Sequence, residues 1–374
     1  MHQYSFYRSD LTKRCGAVSL LLLPVLLLIP AASWGYGFHD ALTYGNTIDV
    51  ISIRSAAMVG IRVFGSSGAS AVFMNPSNLH YLPTFHLEVS TSAVSWTEEV
   101  VDSTSVVQRS DRGLGSLSGA AACRLGSRTV VGIGLAKVSD FQYNGTHFLP
   151  ENPSHPGIDI IETLNATGGL WEALCGFSWS PSEYLSAGVS GGLRFGEVTY
   201  DYSYDEKFTP EVDSSYTWSW DLSEPCFHAG AEMGDEVLGA GVCYTSGTSD
   251  RYHDRLSIAG RATAEHIGNT TMIFEGEIVA PFDRNYFKGK LGIETPIRRS
   301  ISLLAGVGFN EGENMNRVGM AFSVGGNYRT DRFTLDLALS NINRSRVSTS
   351  FPEEYSDYVD DSWTQFCIGL NYLI

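Results

Sequence analysis

From Phe85 onward the chain alternates. Phe85, Leu87, Val89, Thr91 and Ala93 occupy one phase, and His86, Glu88, Ser90 and Ser92 the other. A period of two sends successive side chains to opposite faces of a strand. The same alternation recurs between turn signals in fourteen segments, approximately 85–96, 116–125, 128–141, 167–180, 184–204, 215–233, 236–246, 255–267, 270–281, 285–295, 299–310, 316–329, 332–348 and 362–374. Within them the apolar and charged residues keep to separate phases. Leu185, Ala187, Val189, Leu193 and Phe195 oppose Arg194. Met272, Phe274 and Ile278 oppose Glu275 and Glu277. Phe287, Leu291 and Ile293 oppose Lys288 and Lys290, and Phe333, Leu335, Leu337 and Leu339 oppose Asp336. A Lys or Arg on a lipid-facing wall costs about 2–4 kcal/mol at mid-depth, so the charged phase is expected to face a lumen.

The joints between segments have a rhythm. Gly126-Ser127, Pro181-Ser182, Gly234-Asp235, Gly268-Asn269, Pro296-Ile297 and Thr330-Asp331 are tight, whereas most intervening joints, notably 142–166 and 349–361, are long. Short turns at one end and long loops at the other are the build of an outer-membrane barrel. The expected fold is therefore all-β: a transmembrane antiparallel barrel of about 14 strands over residues 85–374. A soluble sandwich also alternates, but does not account for this asymmetry. Two places depart from the pattern. In 215–233 the apolar phase slips from Trp218, Trp220 and Leu222 to Phe227, Ala229 and Ala231, which predicts a bulge near Glu224-Pro225. Lys137 shares the phase of Val131, Ile133 and Leu135, which places it beyond the apolar band or after a bulge.

Two stretches precede the barrel. Lys13-Arg14, the apolar run Gly16 to Pro30 and Ala31-Ala32-Ser33 have the order of a secretory leader, residues 1–33, with cleavage after Ser33 or Gly35. Residues 34–84 are expected to form an N-terminal plug. Their core, 54–79, has no regular period and is rich in small residues, with Gly60, Gly65 and Gly68 among Ala56, Ala57, Ala69 and Ala71. Asn75-Pro76 ends the run, since proline removes a donor and excludes helix from the residue before it, and is expected to be the joint to the first strand.

Composition fits this layout: 39 Gly and 12% aromatic residues against only 18% charged ones. The net charge of −16 excludes nucleic acid as a partner and permits divalent cations or a basic protein. Cys15 leaves with the leader. Cys123, Cys175, Cys226, Cys243 and Cys367 lack metal or redox spacing and are expected to act as small hydrophobes. Trp171, Trp179, Trp218, Trp220, Tyr184, Tyr328, Trp363 and Tyr372 are expected to form interfacial girdles.

Catalytic patterns are missing from the sequence. His228 near Glu232, His253 beside Asp254 and His266 beside Glu265 are read as lumen or loop polar groups, and no nucleophile elbow, HExxH or phosphate loop occurs. The chain is expected not to be an enzyme and to carry no cofactor or metal site. The acidic residues of 142–166 (Glu151, Asp159, Glu162) and 349–361 (Glu353, Glu354, Asp357, Asp360, Asp361) are read as solvated loops, with cation bridging to lipopolysaccharide or protein as the alternative.

The stretch 54–79 resembles the N-terminal segment of the FadL-type long-chain fatty-acid transporter superfamily, which includes toluene and xylene channels and PorV/PorQ-type proteins. The matching residues are Ala56, Gly60, Ala69, Ala71, Asn75, Pro76 and Leu79. An acidic residue of the family pattern is absent at Ser66-Ser67-Gly68, and Asn-Pro-Ala reads Asn75-Pro76-Ser77 here. The chain also ends like the strand recognised by barrel-assembly machinery, with Phe366, Ile368, Leu370, Tyr372 and Ile374 in one phase and Gly369 opposite. The resemblance implies an outer-membrane barrel whose plug gates passive uptake of hydrophobic or amphipathic small molecules, leaving sideways through a gap in the wall. The alternative it implies is a PorV-type accessory in protein secretion. Outer-membrane lipid, lipopolysaccharide and the assembly machinery are the expected partners in both cases, with secretion proteins added in the second. Arg124, Arg194, Arg261, Lys288 and Lys290 are the cations that could meet an anionic ligand. A polar lumen also suits a general porin, but a plug does not.

Overall fold

The computed structural model describes residues 46–48, 51–101, 106–149, 160–206, 214–247, 253–280, 286–311, 318–350 and 355–373. The leader, residues 1–33, lies outside them, as do Glu151, Asp159, Glu353 and Glu354 of the loop acids named above. Strand β1 is Asn46–Thr47, and the one α-helical turn among the described residues, α1, is Ile53–Ala56. The strands that follow are β2 Phe85–Val101, β3 Val106–Arg124, β4 Thr129–Asp140, β5 Tyr143–Leu149, β6 Ile160–Ser182, β7 Leu185–Glu206, β8 Ser214–Gly234 and β9 Leu238–Thr245. Then come β10 Arg255–Ala264, β11 Thr270–Val279, β12 Tyr286–Arg298, β13 Ile301–Glu311, β14 Val318–Arg329, β15 Phe333–Ser350 and β16 Tyr355–Leu373.

Each barrel strand pairs antiparallel with its sequence neighbour. β16 pairs with β2, and β4 with β6, which closes a ring of fourteen strands. All fourteen predicted segments are present. β1 and β5 stand outside the ring: β1 lies along β4, and β5 continues the line of β4 beside β6. Both fall where the sequence lacks a long alternating run, and for that reason they were not expected.

The tight joints gather at one end of the barrel, here called the turn side, together with the start of β2 and the end of β16. At one of them Gly268 and Asn269 take φ of 65° and 59°, a left-handed pair that glycine and asparagine tolerate best. The outer surface carries the apolar phase. Phe274 is 57% exposed, Ile258 59% and Phe322 50%, with Val189, Leu193, Leu303, Val324 and Phe366 similarly bare. Such a continuous apolar belt is a lipid-facing surface. The opposite phase is buried in the lumen, including Glu172, Arg194, Glu275, Glu277, Lys288 and Asp336.

The anticipated bulge at Glu224-Pro225 is absent. β7 and β8 stay in register from Tyr204↔Ser214 to Leu185↔Met233. From Trp220 to Glu232 the even-numbered residues of β8 are the more buried ones, so the apolar slip is real but does not come from the backbone. In the half away from the turns the lumen itself becomes apolar, and Trp220 and Leu222 pack inside it. Pro225 is accommodated because the β8–β9 ladder stops at His228↔Thr245. Phe227 turns its N–H and C=O toward Ser246 on that side, so Pro225, two residues back, lacks its N–H where the ladder has ended. Near Lys137 the register does shift, between Lys137 and Ser139.

Candidate functional site

An irregular segment inside a barrel carries backbone N–H and C=O groups that a strand would have paired, and each needs a partner. Residues 51–82 fill the turn-side lumen in this way. α1 is followed by 3₁₀ turns at Ala69–Phe73 and Pro76–Tyr81. Ile53, Ala57, Met58, Ile61 and Val63 pack on wall residues Ala259, Ile273, Leu304, Ala338, Cys243 and Cys367. The last two are free thiols, used here as small apolar groups.

The wall meets the segment's backbone and side-chain donors with carboxylates. Glu275 Oε2 accepts from the amides of Arg62 and Val63, both at 2.8 Å. Glu88 accepts from Ser70 N at 2.8 Å. Glu232 accepts from Asn75 Nδ2 at 2.9 Å, Ser77 Oγ at 3.2 Å and Tyr81 OH at 3.1 Å. Glu294 pairs with Arg54, whose guanidinium also donates to Phe64 O. Wall glycines supply the clearance. A Cβ on Gly230 would lie 1.8 Å from Asn75 Oδ1, and one on Gly188 2.3 Å from the Pro76 carbonyl carbon.

Asn75-Pro76 is not the joint to the first strand. A further turn, Pro76–Tyr81, follows before β2. Asn75 is fully buried and caps that turn, accepting from Ser77 N at 3.2 Å, while its amide donates to Val63 O at 2.9 Å. Asn78 Nδ2 reaches the same carbonyl at 2.7 Å. The motif is thus the centre of the seat. Ala56, Ala69, Ala71 and Leu79 are buried within it, and Gly60 takes a φ of 77° while its carbonyl accepts from Lys290 Nζ at 2.7 Å. Burial lowers the His80 pKa from its ordinary value, and its Nδ1 donates to Ser77 O at 2.7 Å.

The five candidate cations do not converge on one point. Arg124 donates to the carbonyls of His80 and Leu82. Lys290 bridges Gly60 to Glu275 and Glu277. Lys288 stands across the ladder from Glu277. Arg194, fully buried, pairs with Glu172, which also faces His228 at 3.4 Å. Arg261 lies over the Phe64 ring at 4.9 Å and borders a cavity of about 280 Å³ at the turn-side mouth, between the segment and the wall, shared with Tyr81, Asn78, Arg329 and Asp336. Arg62, which the sequence did not single out, is buried and donates to Thr245 Oγ1 at 2.9 Å.

Above the seat the lumen changes character. The apolar core that takes in Val72, Phe73, Met74 and Leu79 of the segment continues through Val94, Trp96, Val138, Phe141, Tyr143, Leu164, Ala166, Leu170, Val198 and Tyr200, with Tyr202, Trp220, Leu222 and Trp363 against it. Trp220 Nε1 donates to Tyr200 OH at 3.3 Å, and its ring meets Phe141 edge-on at 5.2 Å. Trp220 and Trp363 are therefore lumen residues rather than girdle, whereas Trp179, Tyr184 and Tyr328 are exposed. Glu162, expected in a solvated loop, also turns inward and accepts from Tyr202 OH at 2.8 Å.

At this level the wall is interrupted. The β3–β4 ladder ends at Ser118↔Ala136, although both strands continue. β3 shifts register against β2 between Thr91 and Ala93, and β4 shifts against β6 after Lys137. Beyond that shift Val138, Ser139, Asp140 and Phe141 are all buried, which no strand with one face on lipid achieves; the end of β4 has turned into the lumen.

No protein-family model matches the sequence, and no curated protein does. Solved structures do match. A FadL homologue of Pseudomonas aeruginosa covers 91% of this chain and 99% of its own, at TM-score 0.61 and 11% identity. The Ralstonia pickettii toluene transporter TbuX covers 87% and 98%, at 0.61 and 13%. The Pseudomonas putida toluene transporter TodX covers 88% and 99%, at 0.59 and 12%. The chain has the FadL-type transporter fold.

Proposed function

We propose that the protein is an outer-membrane channel for passive uptake of hydrophobic or amphipathic small molecules, with residues 51–82 as the plug that keeps the lumen closed. The observation that carries this reading is the aromatic-lined apolar core that extends from the plug to the level where the β3–β4 ladder ends. An apolar interior with a few polar groups at its edge is the usual make-up of a small-molecule site. A wall that opens at that height gives an apolar solute a route into lipid without crossing the plug. The likeness of fold to a FadL homologue and to two toluene transporters supports it.

Uptake of a labelled long-chain fatty acid and of toluene by cells lacking their own channel tests the reading. Wild type is expected to confer uptake. Ala166→Trp, which fills the cluster from a fully buried position, is expected to reduce it while the barrel still assembles. Equal rates for wild type, variant and empty cells would refute it, and co-purified protein partners in native mass spectrometry would then favour a secretion accessory.

A further inference from the structure

The rim of the barrel on the turn side is unevenly charged. Arg299-Ser300 joins β12 to β13, and Thr330-Asp331-Arg332 joins β14 to β15. With Arg298 and Arg329 at the strand ends, these turns gather four arginines against one aspartate. The β6–β7 and β8–β9 turns carry Glu183, Asp235 and Glu236 instead, in keeping with the chain's net charge of −16. Arg329 N donates to Ser300 O at 2.8 Å, which sets the two arginine-bearing turns side by side. Like charges held next to each other repel, and an anion between them relieves that repulsion. The turn-side cavity of about 280 Å³ opens at this place, and Arg299 and Arg329 line it together with Arg54 and Arg261. We propose that this cavity binds a small organic oxyanion, a carboxylate or a phosphate ester taken from the aqueous phase on the turn side, and that the bound anion ties the plug to the wall.

The charge balance of the lining sets the sign of the ligand. Arg54 is already occupied, since it pairs with Glu294 at 2.5 Å and donates to Phe64 O. Arg261, Arg299 and Arg329 form no ion pair among the described residues. Arg261 lies over the Phe64 ring at 4.9 Å and donates to Asp235 O at 2.9 Å, and neither contact cancels its charge. His86 also lines the cavity, but its Nδ1 accepts from Ala69 N at 3.2 Å, so the ring is neutral. Asp336 is the acid of the lining that Arg54 leaves over, and its Oδ2 accepts from Asn371 Nδ2 at 2.6 Å. Three guanidiniums therefore face one carboxylate. The planar fork of a guanidinium matches the paired oxygens of carboxylate and phosphate, so this surplus selects an oxyanion over a neutral or cationic solute. The opposite side of the cavity is plug, with Ser67 and Tyr81 exposed there. An anion held by Arg299 and Arg329 thus touches the wall and the plug at once. It binds only while the plug is seated, and by mass action it favours the seated state.

Calorimetric titration of the full-length protein in detergent with citrate and with glycerol 3-phosphate tests the site. At about 0.15 M salt the screening length is about 8 Å, so contact binding survives while attraction to the rim as a whole fades. Wild type is expected to bind at least one of the two anions, and the tighter one assigns carboxylate or phosphate ester. Arg299→Gln with Arg329→Gln, both exposed, is expected to weaken binding about tenfold or more, as when charge-assisted hydrogen bonds are lost. Arg298→Gln with Arg332→Gln removes the same charge from the same turns at residues that do not line the cavity, and is expected to change affinity less than about twofold. Equal weakening in the two double variants, or binding of neither anion by wild type, would overturn the site. Hydrogen exchange at residues 66–68 tests the tie. With anion at about ten times its Kd, exchange there is expected to slow about tenfold. Binding that leaves this exchange unchanged would overturn the tie between plug and wall. None of these measurements involves uptake, so loss of the site leaves the channel reading standing, and loss of the channel reading leaves the site.

Discussion

Two wall carboxylates, Glu275 and Glu88, accept backbone amides of the plug, and Glu275 is the sharpest place to test that. Its Oε2 takes the amides of Arg62 and Val63 at 2.8 Å each, and its Oε1 takes Lys290, which in turn holds the Gly60 carbonyl at 2.7 Å. One side chain thus fixes three plug backbone groups within four residues. Glu275→Ala strands two buried N–H donors at about 1–3 kcal/mol each, a total of about 2–6 kcal/mol. Even the lower end shifts the balance between seated and released plug by about thirtyfold. Glu275→Gln keeps an oxygen for the two amides but loses the charge, for roughly 1 kcal/mol. The expected order of loosening is therefore Ala, then Gln, then wild type. Hydrogen exchange at the Arg62 and Val63 amides measures it directly, and single-channel conductance measures its consequence. Strand protection should not change, because the β11–β12 ladder is main-chain throughout. If exchange at 62–63 is the same in all three proteins, the carboxylate account of the seat is wrong.

Other outcomes follow from the same seat. Gly188→Val should push the Pro76 turn off the wall, because the added Cβ meets backbone at 2.3 Å that cannot rotate away; tryptic cleavage within the plug of an otherwise intact barrel would report it, and unaltered cleavage would contradict it. Deleting residues 54–76 should raise single-channel conductance, and unchanged conductance would remove the plug assignment.

The alternation located all fourteen wall strands because lipid on one side and a lumen on the other leave a period of two that survives in a single sequence. Arg194, Glu275 and Lys290 were rightly read as facing inward, but their partners were not legible. Which carboxylate meets which plug amide depends on a segment without periodicity, whose path is set only once the barrel exists. The slip at Trp220 and Leu222 is visible in the sequence, but its cause is an apolar lumen rather than a bulge. Period-two reasoning assumes that apolar means outward, and this fails wherever the lumen itself is apolar. β1 and β5 left no signal because two and seven residues are too few for a pattern to accumulate.

That inversion is what makes one barrel serve two purposes. A plug rich in irregular backbone needs charged acceptors around it, and charged acceptors are costly unless something pairs with them. The turn-side lumen meets both needs at once, since Glu275, Glu232, Glu88 and Glu294 have plug donors and the plug has them. An apolar solute could not dwell among such groups. On the proposed channel reading it dwells where the inward phase turns to Trp96, Leu170, Val198 and Trp220. The β3–β4 ladder ends beside this cluster, where the end of β4 also carries the Lys137–Asp140 ion pair at 2.8 Å. On the proposed channel reading, a variant that moves charge into the cluster, such as Leu170→Glu, should impair passage while leaving the seat below it intact.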